Sequence, residues 1–197
     1  MPRYRRVFVP GGTYFFTVNA NRRRQLFAEE VARACLRRAW RETKARYPFT
    51  LVAFCLMPDH LHCVWEMPDG DADFPSRWRM IKGLFSRYYL KQGGSEPPRS
   101  VRRKGKRETA LWQERLWEHL IRDERDLARH VDYTHYNPVK HGFVNALSLW
   151  PWSTFHRFVR QGAYPPDWGR SAPDSIEGLE STGEHAKISQ GGGARAD

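Results

Sequence analysis

Two strand-like segments separated by only two residues constrain the fold of this 197-residue chain more than any other feature. Residues 49–57 form an almost continuous apolar run of strand length, and residues 60–66 read as a second strand. Pro58 and Asp59 between them favour a turn, and two strands joined this tightly pair as an antiparallel hairpin. The sequence therefore predicts a β-hairpin at the centre of the fold.

The patterns on either side of this hairpin alternate between strand and helix. Aromatic and β-branched residues mark the strands, and apolar residues at helical spacing mark the helices. The predicted order is strand, helix, hairpin, helix, strand and C-terminal helix, over residues 13–19, 29–47, 49–66, 74–92, 112–121 and 123–137. This order predicts an α+β, ferredoxin-like (split βαβ) antiparallel sheet with helices packed on one face, which leaves the other face open to carry a site.

Two further segments have clear local signals. In the C-terminal helix, Asp123 can cap the first turn, Pro138 limits the helix, and Gly142 closes the turn that follows. Residues 95–107 are polar and strongly positive, and we expect them to form a loop.

Composition supports one folded domain followed by a tail. Hydrophobic residues make up 40% of the chain, which is enough for a core, and we assign residues 1–170 to a single domain. Residues 171–197 are mostly Gly, Ser, Ala and charged residues, so we expect a disordered tail there. The three cysteines form no CxxC pair, and no apolar signal segment or membrane span is evident. We therefore expect a soluble, cytoplasmic protein.

The charge balance points to a polyanionic partner. Thirty-three Lys and Arg against 22 Asp and Glu give a net charge of +11, which favours nucleic acid over a membrane surface. Aromatic residues reach 14%, and aromatic rings can stack on bases as well as build a core. Three basic clusters are the predicted phosphate contacts: Arg3, Arg5 and Arg6; Arg22, Arg23 and Arg24; and Arg102, Arg103 and Lys104. Each cluster could instead be a solubilising loop.

The second strand of the hairpin carries a pair of potential metal ligands. His60 and His62 are separated by one residue, and because strand side chains alternate, both point to the same face. Their imidazoles could chelate one metal ion, although a His-x-His pair also occurs as ordinary hairpin histidines. Cys63 lies on the opposite face, so a zinc site made of these three residues is geometrically poor.

The C-terminal helix carries a potential nucleophile. Tyr133 and Asn137 are four residues apart and share one helix face. With the two imidazoles, the Asn137 oxygen could complete a metal site that polarises a phosphate while the Tyr133 oxygen attacks phosphorus. Tyr136 competes for this role but points away from the Asn137 face, so we expect it to pack against the sheet. The chain contains no GxxxxGK[ST] motif, and a phosphotyrosine link would allow strand rejoining without a nucleotide cofactor.

Several motifs together resemble the single-tyrosine (IS200-like, HUH) transposases and, among them, the REP-associated tyrosine transposases. The segment Leu56-Met-Pro-Asp-His-Leu-His62 resembles the family's His-hydrophobic-His signature, and residues 133–142 resemble its nucleophile helix. Residues 117–123 and 150–156 are also similar to that subfamily, and the resemblance covers residues 4–168. One departure is Asp59, where the family usually has Asn; a carboxylate there can draw a cation closer or cap the turn.

The resemblance implies a specific activity. It implies Mg²⁺ or Mn²⁺ dependence and cleavage of single-stranded DNA beside a hairpin, with a 5′-phosphotyrosyl intermediate and a 3′-OH. It implies that His60, His62 and Asn137 are metal ligands and that Tyr133 is the nucleophile. The implied partner is the repetitive extragenic palindrome (REP), a hairpin-forming repeat of bacterial chromosomes, bound by a monomer or a homodimer. The implied location is therefore the bacterial cytoplasm, in association with the nucleoid.

Three other functions are compatible with parts of the sequence. A module of the same fold could bind single-stranded nucleic acid without catalysis, but no RNP-like strand is present. A His-x-His metallohydrolase of the barrel type needs about 250 residues, more than this chain supplies. An inactive transposase retained for DNA binding is a third alternative, against which the complete His, Tyr and Asn set argues.

Overall fold

A computed structural model describes residues 6–106 and 108–179 of the chain. It contains four strands, β1 (Thr13–Asn19), β2 (Thr50–Leu56), β3 (His60–Glu66) and β4 (Trp117–Leu120). The α-helices within the described ranges are α1 (Glu30–Arg46), α2 (Phe74–Lys91), α3 (Val101–Gly105), α4 (Glu124–Lys140) and α5 (Phe155–Arg160).

The four strands form one antiparallel sheet in the order β2-β3-β1-β4. A β-α-β-β-α-β chain produces this strand order when its first and second β-α-β halves interleave in one sheet. The α+β, ferredoxin-like prediction is therefore confirmed. β2 and β3 form the predicted hairpin, in which Leu56 pairs with Leu61 across the turn at Pro58 and Asp59. β3 is a central strand, flanked by β1 as well as β2.

α1 and α2 pack side by side on one face of the sheet, as predicted. Alternate residues of β1 and β3 point into this layer, where Trp65 stacks on Trp78 of α2 with ring centroids 4.4 Å apart. Phe16 and Cys63 are fully buried in the same layer. Because the side chains of a strand alternate, Phe15 and His62 necessarily face the other side.

α4 covers the sheet face that the sequence analysis left open. Its residues Val131 and Tyr133 pack on Phe15 and Val64, which form a second apolar cluster. Asp123 caps α4 by accepting a hydrogen bond from the backbone N–H of Asp126, as expected. The predicted site face is therefore a buried interface between the sheet and a helix.

α4 also runs past Pro138 to Lys140, two residues beyond the predicted limit. Pro138 lacks the N–H that would bond the carbonyl oxygen of Thr134, so the helix continues at the cost of one hydrogen bond in its last turns. Gly142, with a φ of 68°, closes the turn as predicted.

Three other segments differ from the predictions. The predicted strand over residues 112–121 is shorter, with one isolated bridge at Trp112 and regular pairing only over β4. The predicted loop over 95–107 contains the short helix α3. Part of the predicted tail is ordered, because Ile176 is buried and Ser175 hydrogen-bonds to Asp132 of α4; residues 180–197 lie outside the described ranges.

Across the described part of the chain, none of the helices has the length and apolar character needed to cross a membrane.

Candidate active site

His60 and His62 lie on the α4 face of β3 and are directed at each other. Their Nε2 atoms are 3.1 Å apart, and the rings are nearly perpendicular at 85°. Both side chains are almost completely buried. Two adjacent ligands of an octahedral ion with bonds of about 2.1 Å are separated by about 3 Å, so this spacing matches that of a chelating pair.

The other nitrogen of each ring is hydrogen-bonded within the protein. Nδ1 of His60 lies 2.6 Å from Oδ1 of Asp59, and Nδ1 of His62 lies 2.9 Å from Oγ1 of Thr17 on β1. An ionised carboxylate can only accept a hydrogen bond, so His60 carries its hydrogen on Nδ1 and directs the lone pair of Nε2 toward His62. Partners of this kind orient the histidines of metal sites.

Arg23 holds Asp59 in place from the opposite side. Its Nε atom lies 2.6 Å from Oδ2 of Asp59, and its NH1 group donates to Asn19. Arg22 and Arg23 both have a φ of 54°, a conformation that is uncommon outside glycine. This turn therefore serves to position the guanidinium against the carboxylate that orients His60.

Burial and charge set the protonation states of this pair. Burial lowers the pKa of His60 below its ordinary value, and the Asp59 hydrogen bond offsets only part of that effect. Burial acts to raise the pKa of Asp59, but the hydrogen bond to His60 and the charge of Arg23 lower it overall. A neutral imidazole beside an ionised carboxylate is the state in which histidine binds metal.

Tyr133 of α4 lies over the histidine pair. Its ring centroid is 5.3 Å from that of His62, and its side chain is largely buried. Lys140, two turns later on the same helix, has its Nζ atom 3.4 Å from the Tyr133 hydroxyl oxygen and 4.8 Å from the ring centroid. A cation is thus placed against the oxygen that would have to become a nucleophile.

Asn137 follows Tyr133 by one turn and carries a buried oxygen without a hydrogen-bond partner. Its Nδ2 group donates to the Tyr133 carbonyl oxygen at 2.6 Å, but no described group hydrogen-bonds to Oδ1. A buried carbonyl in this state is energetically unfavourable unless a ligand satisfies it. Two imidazole nitrogens and one amide oxygen suit a small divalent cation such as Mn²⁺ or Mg²⁺.

Two residues considered as alternatives at the sequence level lie elsewhere. Cys63 points into the α1–α2 layer, on the far side of the sheet from His62, as expected. Tyr136 is partly buried and packs against the cluster that contains Phe15 and Val64, also as expected.

A second group of potential ligands lies about Asp126. Among the described residues, His119, Asp126 and His130 place ligand atoms within 4.8 Å of one another. The two imidazoles are stacked, with ring centroids 4.4 Å apart and an interplanar angle of only 16°, so their lone pairs lie in two nearly parallel planes and do not meet at one point. Asp126 accepts hydrogen bonds from His119 and from the Arg122 backbone. This geometry favours a hydrogen-bonded structural cluster.

The predicted phosphate contacts fall into different environments. Arg3 and Arg5 lie outside the described residues, whereas Arg22, Arg102 and Lys104 are exposed. Arg6 pairs with Glu118, and Arg24 donates to the Ser95 carbonyl. Arg103 is buried and donates to the carbonyl oxygens of Thr109 and Trp112, which is a structural role rather than a surface one.

Sequence reasoning missed Thr17, Arg23 as a partner of Asp59, and Lys140. Lys140 lies seven residues after Tyr133, a spacing that returns to the same helix face, so helical periodicity alone could have identified it. The contact of Thr17 with His62 depends on the pairing of β1 with β3, for which no local signal exists.

Comparison with known proteins identifies the family of this chain. The family profile described as Transposase IS200 like matches residues 9–120. The chain is 41% identical over 178 residues to a REP-associated tyrosine transposase of Haemophilus influenzae, covering 90% of this chain and 99% of that protein. It is 44% identical over 180 residues to the REP-associated tyrosine transposase of Escherichia coli K12, covering 90% of this chain and 97% of that protein.

A solved structure of a REP-associated tyrosine transposase bound to a REP hairpin is also similar. It superposes with a TM-score of 0.75 at 43% sequence identity, covering 94% of this chain and 98% of that one. The family profile spans more than half of the chain, and the relatives are matched over almost their full length. The chain therefore belongs to the IS200-like transposases and, within them, to the REP-associated tyrosine transposases.

Proposed function

We propose that this transposase is a metal-dependent endonuclease and strand transferase that cleaves single-stranded DNA beside a hairpin-forming repeat. The observation that carries the proposal is the convergence on one face of the sheet: the paired Nε2 atoms of His60 and His62 and the Tyr133 ring 5.3 Å from His62. The buried Oδ1 of Asn137, on the same helix as Tyr133, supports it, because no group in the described part of the chain forms a hydrogen bond to that oxygen.

In this proposal His60, His62 and Asn137 hold the cation, Mg²⁺ or Mn²⁺. The ion, when bound, would polarise the scissile phosphate and stabilise the charge that develops on it. Asp59 and Thr17 keep the two imidazoles oriented, because their hydrogen bonds to Nδ1 fix both rings. The buried position of the histidines limits competing coordination by water.

Tyr133 carries the covalent step. Its hydroxyl loses a proton to solvent, the oxygen forms a bond to phosphorus, and the bond from phosphorus to the 3′ oxygen breaks. The 3′ oxygen takes up a proton, which leaves a 3′-OH and a 5′-phosphotyrosyl link. Attack of a 3′-OH on that link reverses the step and rejoins DNA without a nucleotide cofactor.

The proposed DNA partner is a single-stranded segment next to a hairpin. Two observations support it: the similar solved structure is that of a transposase bound to a REP hairpin, and the chain carries a net charge of +11. Arg22, Arg102 and Lys104 are exposed and remain predicted phosphate contacts. The other predicted contacts are Arg3, Arg5, Arg6, Arg23 and Arg24. Arg103 is buried and would support these contacts from within the fold.

The decisive experiment incubates the protein with Mn²⁺ and a labelled hairpin oligonucleotide that has a single-stranded flank. The wild type is expected to form an SDS-resistant protein–DNA band, and Tyr133→Phe is expected to form none while binding DNA nearly as well. Tyr136→Phe is the matched control and should form the band. His60→Ala should lose cleavage and metal dependence together.

Two outcomes would contradict the proposal. If Tyr136→Phe is inactive and Tyr133→Phe is active, the nucleophile is misassigned. If the wild type binds the hairpin but forms no adduct with any divalent cation, the protein is a non-catalytic nucleic-acid-binding module of the same fold.

A further inference from the structure

A basic groove lies on the opposite layer of the molecule from Tyr133. It has a volume of about 680 Å³ and runs between α2 and the segment from α3 to Leu116. Its described lining contains seven arginines and lysines and two glutamates, with apolar patches from Trp78, Leu90 and Trp112. This surface is therefore strongly cationic without being purely polar.

Lys82 lines the groove and has no acidic partner among the described residues. Its Nζ donates to the Gln113 carbonyl oxygen at 3.2 Å. Withdrawal from water and, to a smaller extent, the nearby charges of Arg6 and Arg103 together lower its pKa to about 8. Arg6 and Arg103 already pair with Glu118 and Glu114, whereas a partly buried ammonium group without a carboxylate is unfavourable unless an anion joins it.

The walls of the groove keep these charges in place. Arg103 is anchored by the Trp112 carbonyl oxygen at 3.0 Å, and Arg6 by Glu118 at 2.9 Å. Arg87, five residues after Lys82 on α2, is exposed and also lines the groove. The cations are therefore arranged on rigid elements along one concave surface, as required for recognition of a chain of phosphates.

A continuous hydrogen-bond chain joins this groove to the candidate active site. Gln113, which lines the groove, accepts a hydrogen bond from Asn19 at the end of β1. Asn19 in turn accepts from Arg23, which pairs with Asp59, the partner of His60. The groove thus adjoins the end of the sheet at which the histidines lie.

We infer that this groove is a binding subsite for the phosphodiester backbone of the single-stranded DNA that flanks the hairpin. The inference rests on the proposed function and adds a second contact region to it. The groove combines cations with apolar patches, so a single strand can place its phosphates on Lys82 and Arg87 and its bases on the apolar patches, whereas the bases of a duplex are already stacked and paired.

The test measures DNA binding by fluorescence anisotropy in the Tyr133→Phe background, where no covalent step is expected. Three probes are compared at several salt concentrations: the hairpin with its flank, the hairpin alone, and the flank alone. Lys82→Gln should weaken binding of both flank-containing probes about 5- to 10-fold and reduce the salt slope by about one, without affecting the hairpin alone. Lys91→Gln removes the same charge from α2 outside this groove and should change none of them.

Gly83 provides a second variant that does not disturb the buried lysine. It lines the groove, and a Cβ atom added there would have no neighbour within 4 Å. Gly83→Asp should weaken binding of the flank-containing probes by electrostatic repulsion, whereas Gly83→Asn, of nearly the same shape, should not.

Equal affinities for Gly83→Asp and Gly83→Asn would overturn the inference, as would an equal loss for the hairpin alone. These results are independent of the covalent assay. If adducts form but the groove variants bind normally, only the subsite is refuted; if the groove variants weaken binding but no adduct forms, only the proposed catalysis is refuted.

Discussion

Nδ1 of His60 lies 2.6 Å from Oδ1 of Asp59, so the last residue of the hairpin turn orients the first histidine of the strand. The same carboxylate is held by Arg23, which ties the turn after β1 to the turn before β3. At the sequence level, Asp59 was a departure that could draw a cation closer or cap the turn. In the structure its carboxylate instead pairs with a ring nitrogen and a guanidinium.

Removing the Asp59 carboxylate should weaken metal binding through His60. Asp59→Ala loses both the hydrogen bond and the charge, and we expect Mn²⁺ affinity to fall about 10- to 100-fold. Asp59→Asn retains an oxygen that can accept a hydrogen bond from Nδ1, so its Mn²⁺ affinity should fall less. Calorimetric titration with Mn²⁺ measures the affinity of both variants, and an unchanged affinity in Asp59→Ala would refute the orienting role.

Asn137→Ala should separate metal binding from folding. Oδ1 of Asn137 has no hydrogen-bond partner within residues 6–106 and 108–179, and alanine favours helix, so the metal-free free energy of unfolding should change by no more than about 1 kcal/mol. The rise in melting temperature that Mn²⁺ produces in the wild type should largely disappear, because only the ligand is lost. A variant stabilised by Mn²⁺ as strongly as the wild type would remove Asn137 from the ligand set.

Lys140→Gln should slow adduct formation without weakening DNA binding to the same extent. The ammonium group, 3.4 Å from the Tyr133 oxygen, favours the phenolate that attacks phosphorus. We expect the single-turnover rate to fall at least about tenfold, and Lys140→Arg to restore most of it. A loss confined to the dissociation constant would instead show that Lys140 only contacts DNA.

Asp126→Asn should destabilise the fold in a pH-dependent way. Although burial acts to raise the pKa of Asp126, hydrogen bonds from His119 and Arg122 lower it to about 2 from an ordinary 3.8, and His130 also faces the carboxylate. A depressed pKa contributes stability that is present above the unfolded value and is lost as pH falls through the folded value. The contribution is about 2 kcal/mol.

Urea unfolding at several pH values tests this expectation. The free energies of unfolding of the wild type and of Asp126→Asn should differ by about 2 kcal/mol at pH 7, and the difference should disappear as the pH falls from about 4 to 2. His130→Gln is a useful companion, because it removes one partner and keeps the carboxylate. A difference that is constant across this range would show that Asp126 acts through shape rather than charge.

Local patterns were sufficient to predict the secondary structure around the site. Strand periodicity placed His60 and His62 on one face, helical periodicity placed Tyr133 and Asn137 together, and Asp123 was identified as the cap of α4. These predictions held because each depends on residues within a few positions of one another. The segment between α2 and β4 was less predictable, since its short helix is stabilised by contacts of Arg103 with residues farther along the chain.

Local sequence patterns are enough to give the order of strands and helices, the face of each element that carries the reactive residues, and the resemblance to a transposase family. Three features depend instead on the folded arrangement: α4 covers the second face of the sheet, Thr17 and Arg23 support the histidines, and a basic groove adjoins them. Periodicity is a property of neighbouring residues, whereas these contacts join segments far apart in the chain, and strand pairing and packing alone bring them together.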